Sequence, residues 1–384
     1  MAGSWFLAAV GRQLTRYRVD VAQGTLAAEQ TIELPEGLQY GWQNPVAADI
    51  FHLVCSDGRP GSDGSRHVAC TLKQDAQGRL RFHGAVLELP WRPVHVTTDP
   101  AGGFVFVTYP KPSLVEVFRI RPDGTLGSKV SQPGLPPLPQ TAHQLRITPD
   151  GRRAVLPLRG NDAAGERPED PGAVMIFGLR DGVLAHQQTL APDGGYGFGP
   201  RHVDFHPGQP WMYASIERQN QLALFDVAAA FSGPRCRVTT LAFPDAEKPR
   251  QLAGAVHVHP NGRTVYVSNR ADGTVMADGR PVFNEGENTI AVYAVEPRTG
   301  VPTLAQIVDT RGMHVRTFRI DPSGRLLVAA NMTPRTRLRD GGHVEVPAGL
   351  SVFRRHEDGT LTFLRKYDVD ARRDHLFWAG FSRA

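Results

Sequence analysis

Cysteine is scarce: Cys55, Cys70 and Cys236 are the whole complement, with no CxxC pair and no regular spacing. That argues against a disulfide framework, a CxxC metal site and a haem-attachment motif, and it fits a reducing compartment. Long apolar runs are missing too; none approaches the roughly 18 residues of a membrane span. The short apolar stretch Trp5–Val10 has no basic region before it and reads as a strand rather than a signal peptide. A cytoplasmic protein without a membrane partner is expected. Runs of five or six basic residues, and basic stripes interleaved with aromatics, are absent. A net charge of +5 and a pI of 9.3 therefore do not amount to a nucleic-acid-binding surface.

Glycine (40) and proline (31), in contrast, are abundant, as suits many short strands joined by tight turns. The chain repeats itself. One unit is a strand, a Pro-x-Gly turn or close variant, and a second strand, with the prolines at Pro100, Pro149, Pro207, Pro260 and Pro322. Proline presets φ and glycine accepts the positive φ that closes such a hairpin. A second unit runs from an aromatic or apolar strand through a polar turn, usually ending in glycine, to another strand. Its copies begin at Tyr17, Leu72, Phe118, Phe177, Phe225, Tyr293 and Phe353. Two hairpins in about 55 residues make a four-stranded antiparallel sheet, and seven such sheets arranged radially make an all-β, seven-bladed β-propeller. The whole chain, 1–384, is accounted for as one domain. Its ends fit only if Asp374–Arg383 completes the blade begun by the N-terminal strands, which removes exposed sheet edges. A stack of β-sandwiches is the alternative, and no linker-like shift in composition supports it. The stretches Arg270–Asn288 and Thr333–Gly349 read as long loops near the channel mouth.

Function must come from residues rather than from the fold. The starts of the expected inner strands carry His95, His143, Arg201 with His202, His257, and His314 with Arg316. The strands after the Pro-x-Gly turns end in Tyr109, Arg159, Glu217, Arg270 and Asn331. Histidines and arginines around one carboxylate suit an anionic substrate that needs proton transfer. They would repel a cation, so no metal and no other cofactor is expected.

Gly199-Pro-Arg-His-Val-x-Phe-His-Pro207 followed by Tyr213-x-x-x-Glu217 resembles the bacterial β-propeller 6-phosphogluconolactonases and the fungal 3-carboxy-cis,cis-muconate lactonising enzymes. The similarity continues through His143 with Thr148-Pro-Asp-Gly-Arg152, His257-x-His-Pro-Asn-Gly-Arg263 and Tyr266-x-x-x-Arg270. The resemblance implies a catalytic set of Glu217, His143, Arg201 and Arg270. Glu217 would be the general base or acid, acting on a small anionic lactone in hydrolysis or on an unsaturated polycarboxylate in cyclisation. Arg201 and Arg270 would grip carboxylate or phosphate and stabilise an oxyanion, and His143 would be a second proton-transfer group or a neutral donor. His202, His257, His95, His314 and Tyr109 would line the substrate. Replacing Glu217 by Gln is expected to cost turnover with a modest change in stability. Structural alternatives stand beside each role: His143 capping a strand end, Arg201 bracing a turn, Glu217 and Arg270 pairing between blades. A monomer or weak homo-oligomer is expected, and a non-catalytic interaction propeller is the rival from another class. The Trp-Asp dipeptides typical of such scaffolds are absent.

Overall fold

The computed structural model describes residues 4–382, apart from Pro60, Ala229 and 247–249. Among the described residues, short alternating strands pair into seven antiparallel blade sheets, with two further two-stranded hairpins beside them. Blade 1 contains Ser4–Val10, Gln13–Asp20 and Thr25–Glu33. Its innermost strand is Leu376–Ser382 from the other end of the chain, paired with Ser4–Val10 from Trp5↔Ser382 to Val10↔Leu376. The ring is therefore closed as expected, although Arg383 lies outside the described residues.

The inner strands of blades 2 to 7 are Gly37–Gln43, His95–Thr98, Arg146–Ile147, Pro200–Phe205, Gln251–Val258 and Val315–Ile320. The second strands of blades 3 to 7 are Phe104–Pro110, Arg153–Leu158, Trp211–Ile216, Thr264–Ala271 and Leu326–Asn331. Apolar side chains of adjacent blades interdigitate, as where Val155, Val174 and Ile176 of blade 4 meet Val203, Met212 and Phe225 of blade 5. Burial of these faces fixes the angle at which each inner strand meets the channel.

The turn at Lys111–Pro112 is a tight hairpin within blade 3, with Pro110 opposite Ser113. One expectation needs correction: the two long segments are not plain loops. Thr274–Ala277 pairs with Arg280–Phe283, and Arg335–Arg339 pairs with Gly342–Val346. Each turns on Asp-Gly with both residues at positive φ: Asp278 at 48° and Gly279 at 73°, Asp340 at 50° and Gly341 at 77°. That is the two-residue turn whose twist matches the flanking strands. The hairpins meet at Phe283 and Arg337, whose guanidinium carbon sits 5.0 Å from the ring centroid. Both grow from the ends of second strands and so rise beside the same opening of the channel.

Candidate active site

A one-residue register slip near the start of several inner strands shapes this opening. It falls between Leu38 and Tyr40, Pro200 and His202, Ala253 and Val256, and Val315 and Thr317, and in the closing strand between Leu376 and Trp378. Gln39, Arg201, Arg316 and Phe377 are the extra residues in four of them. A bulge leaves its residue out of the ladder and re-aims the side chain. Thus Arg201 and His202, though adjacent, both reach groups at the opening.

Glu217 directly follows the second strand of blade 5. Arg159 occupies the matching place in blade 4 and Arg270 in blade 6. Antiparallel pairing brings the end of a second strand beside the start of the inner one, so Arg201 meets Glu217 within blade 5. Glu217 is 1% exposed. Its Oε2 accepts from Arg159 Nη1 at 2.7 Å. Its Oε1 lies 2.9 Å from Arg201 Nε and accepts from Arg270 Nη2. Burial on its own would raise the carboxyl's pKa, but the guanidiniums of Arg270, Arg159 and Arg201 outweigh it and hold the group below the usual carboxylate range. Burial, then the like charge of Arg270, draws Arg201 down to about 9 against the pull of Glu217. All four groups are charged at neutral pH.

Behind Arg270 lies His314, whose Nε2 is 3.2 Å from Arg270 Nη1. A guanidinium only donates, so Nε2 accepts and the proton resides on Nδ1, 3.1 Å from Asp272 Oδ2. Asp272 stands at the foot of the first inserted hairpin and also meets Arg250 at 3.2 Å. Burial lowers His314 to about 4 despite Asp272. His314 therefore contacts Arg270 rather than the open channel.

His143, His202 and His95 form the floor. Ring centroids are 5.1 Å apart for His143 and His202 and 6.4 Å for His95 and His202. Burial, then neighbouring arginines, lowers all three well below the ordinary imidazole value, apart from the histidine contributions that add to His202. They are neutral at pH 7. Nδ1 of His143 and both ring nitrogens of His95 have no hydrogen-bond partner among the described residues.

Two expected residues lie elsewhere. His257 pairs with Tyr266 near the end of its strand, whereas Arg270 pairs with Leu252 near the start; five residues separate the two levels, roughly 15 Å. His257 bonds Arg319 at 2.9 Å and lies 3.6 Å from Asp204, toward the opposite opening. Its strand begins at Gln251, earlier than the sequence pattern suggests, because Gly254-Ala255 has little strand character. Tyr109 is fully buried and donates its hydroxyl to Glu116 at 2.6 Å within blade 3. Conversely, Arg159 and Arg316 join the cluster without being in the expected set. The repeat points to Arg159, which shares the position of Glu217 and Arg270.

A profile of the lactonase family of seven-bladed β-propellers matches residues 7–336. The chain is 29% identical over 314 residues to a 6-phosphogluconolactonase of Bacillus subtilis, covering 79% of this chain and 78% of the relative. It is 29% identical over 327 residues to that of Pectobacterium carotovorum, covering 85% and 84%. Among solved structures, the periplasmic gluconolactonase of Pseudomonas aeruginosa superposes with a TM-score of 0.73 at 21% identity, over 100% of this chain and 99% of that one. With the matched profile spanning most of the ring, the chain belongs to the lactonase family of seven-bladed β-propellers.

Proposed function

We propose that the protein hydrolyses a small anionic lactone at the opening that holds Glu217. The observation behind this reading is the buried carboxylate ringed by Arg159, Arg201 and Arg270, beside the neutral His143. Preorganised guanidiniums are suited to an oxyanion that forms when the ring carbonyl is attacked. Glu217 would take a proton from water as its oxygen bonds to the carbonyl carbon. The ring C–O bond then breaks, and the departing alkoxide takes back the proton that Glu217 received from water, giving a hydroxy acid, with neutral His143 available as a hydrogen-bonding group. Held by three cations, the carboxylate is a weak base. A substrate oxyanion that draws Arg201 and Arg270 toward itself loosens their hold and raises its basicity as the reaction needs it. The names of the relatives support a sugar lactone or its phosphate.

The test is a pH-stat assay of sugar lactones, phosphorylated sugar lactones and muconolactones, each with and without EDTA. Turnover of at least one anionic lactone that survives chelation is expected, since four guanidiniums at one opening disfavour a divalent cation. No turnover of any lactone, or turnover abolished by EDTA and restored by added metal, refutes this.

A further inference from the structure

Arg159, Arg201 and Arg270 are occupied by Glu217. Arg316, at the same opening, is not. Among the described residues no carboxylate and no hydrogen-bond acceptor reaches it, and it is only partly exposed. Its contact is with Phe377, the bulged residue of the closing strand, 3.7 Å from guanidinium carbon to ring centroid. A guanidinium lying on an aromatic face uses its π surface and leaves the in-plane N–H donors free. None of the Arg316 nitrogens is among the buried atoms without a partner, so its free donors keep access to the opening, where an anion can accept from them.

Arg316 looks onto the same opening as the cluster. It lies two residues after His314, which contacts Arg270, and bulges from the start of its inner strand as Arg201 does from its own. Arg201 and Arg316 are both bulged residues, on blades 5 and 7. The matching stretch of blade 6 is Gly254-Ala255, with no long side chain to stand between them.

Resting on the lactonase reading, we propose that Arg316, held flat on Phe377, is a specificity-determining residue. It binds a phosphate or carboxylate substituent of the lactone remote from the ester that is cleaved. The labour is divided: Arg159, Arg201 and Arg270 serve Glu217 and the reacting carbonyl, while Arg316 selects substrates that carry a second charge.

The experiment compares wild type with Arg316→Met, Arg316→Lys and Phe377→Leu. KM and kcat are measured on a phosphorylated sugar lactone, a muconolactone and an uncharged sugar lactone, and inorganic phosphate binding is measured by calorimetry. Arg316→Met should raise KM for the charged lactone about 10- to 100-fold, the range for a lost charge-assisted hydrogen bond. The preference for charged over uncharged lactone should collapse by the same factor. Arg316→Lys should recover part of it, and Phe377→Leu should lose less. The phosphorylated and carboxylated substrates show which anion the berth prefers. A melting temperature for Arg316→Met at or above wild type shows that the fold is intact. Equal losses on charged and uncharged lactones, or an unchanged preference, overturn the proposal. Should wild type hydrolyse no lactone, the lactonase reading fails by itself. Phosphate binding that is present in wild type and lost in Arg316→Met then still upholds the berth, and binding that is absent or unaffected refutes it.

Discussion

Replacing Glu217 by Gln removes the only carboxylate among the described residues that contacts Arg159, Arg201 and Arg270 together. The amide oxygen can accept from one of them, and the amide nitrogen faces donors. Breaking a buried ion pair by deleting one partner costs about 3–5 kcal/mol, and here one deletion leaves three guanidiniums, with Arg201 1% exposed. Stability should fall by that amount, several degrees in Tm, which exceeds the modest change expected from sequence. Turnover should fall on the order of 10²-fold or more through loss of the proton-transfer group. A further consequence separates this account from simple damage. The variant opening carries an excess of positive charge, so it should bind anions more tightly. Phosphate at 100 times its Kd returns about 2.7 kcal/mol of stability and should rescue the variant more than it helps wild type. The measurement is thermal unfolding of both proteins across a phosphate titration, with matched chloride controls. A variant that melts with wild type, or equal phosphate effects on both, would show that Glu217 is not the counter-charge of the cluster.

Acidification should destabilise the fold well before carboxylates protonate. Burial holds His257 and His314 near 4, while an unfolded imidazole titrates near 6.5. The unfolded chain therefore takes up protons that the folded one refuses. The stability these groups confer is complete above about pH 6.5 and gone below about 4, on the order of 3 kcal/mol each. A Tm flat across that window would refute neutral buried imidazoles. Asp272→Ala should lower turnover on the order of 10-fold by releasing His314 and with it the aim of Arg270 on Glu217. An unchanged kcat and KM would leave the Asp272–His314 pair a matter of hairpin anchoring alone.

Most of the ring could be read from sequence because two turns recur, one in all seven blades and the other at Pro100, Pro149, Pro207, Pro260 and Pro322 of blades 3 to 7. The relation of Glu217 to Arg270 could be read from their shared offset after a second strand, and the structure shows that they are an ion pair between blades 5 and 6. The bulges could not. One extra residue in a strand of six changes no visible period, yet it decides that Arg201 and Arg316 leave the ladder. The direction of the shift at Glu217 was equally hidden, since burial and three cations oppose each other and only their distances settle the balance. The inserted hairpins carry turn signals in Asp278-Gly279 and Asp340-Gly341, but the charged, Gly-rich residues around them read as loops rather than strands.

The closing strand Leu376–Ser382 lies far along the chain from its partner Ser4–Val10, so their meeting is among the most distant contacts in the molecule. Contacts of such separation form slowly, because the loop entropy must be met before pairing repays it. Phe377 arrives with that strand. The strand that closes the circle is thus also the one that lays a ring under Arg316, so a change that loosens Leu376–Ser382 reaches the opening as well as blade 1.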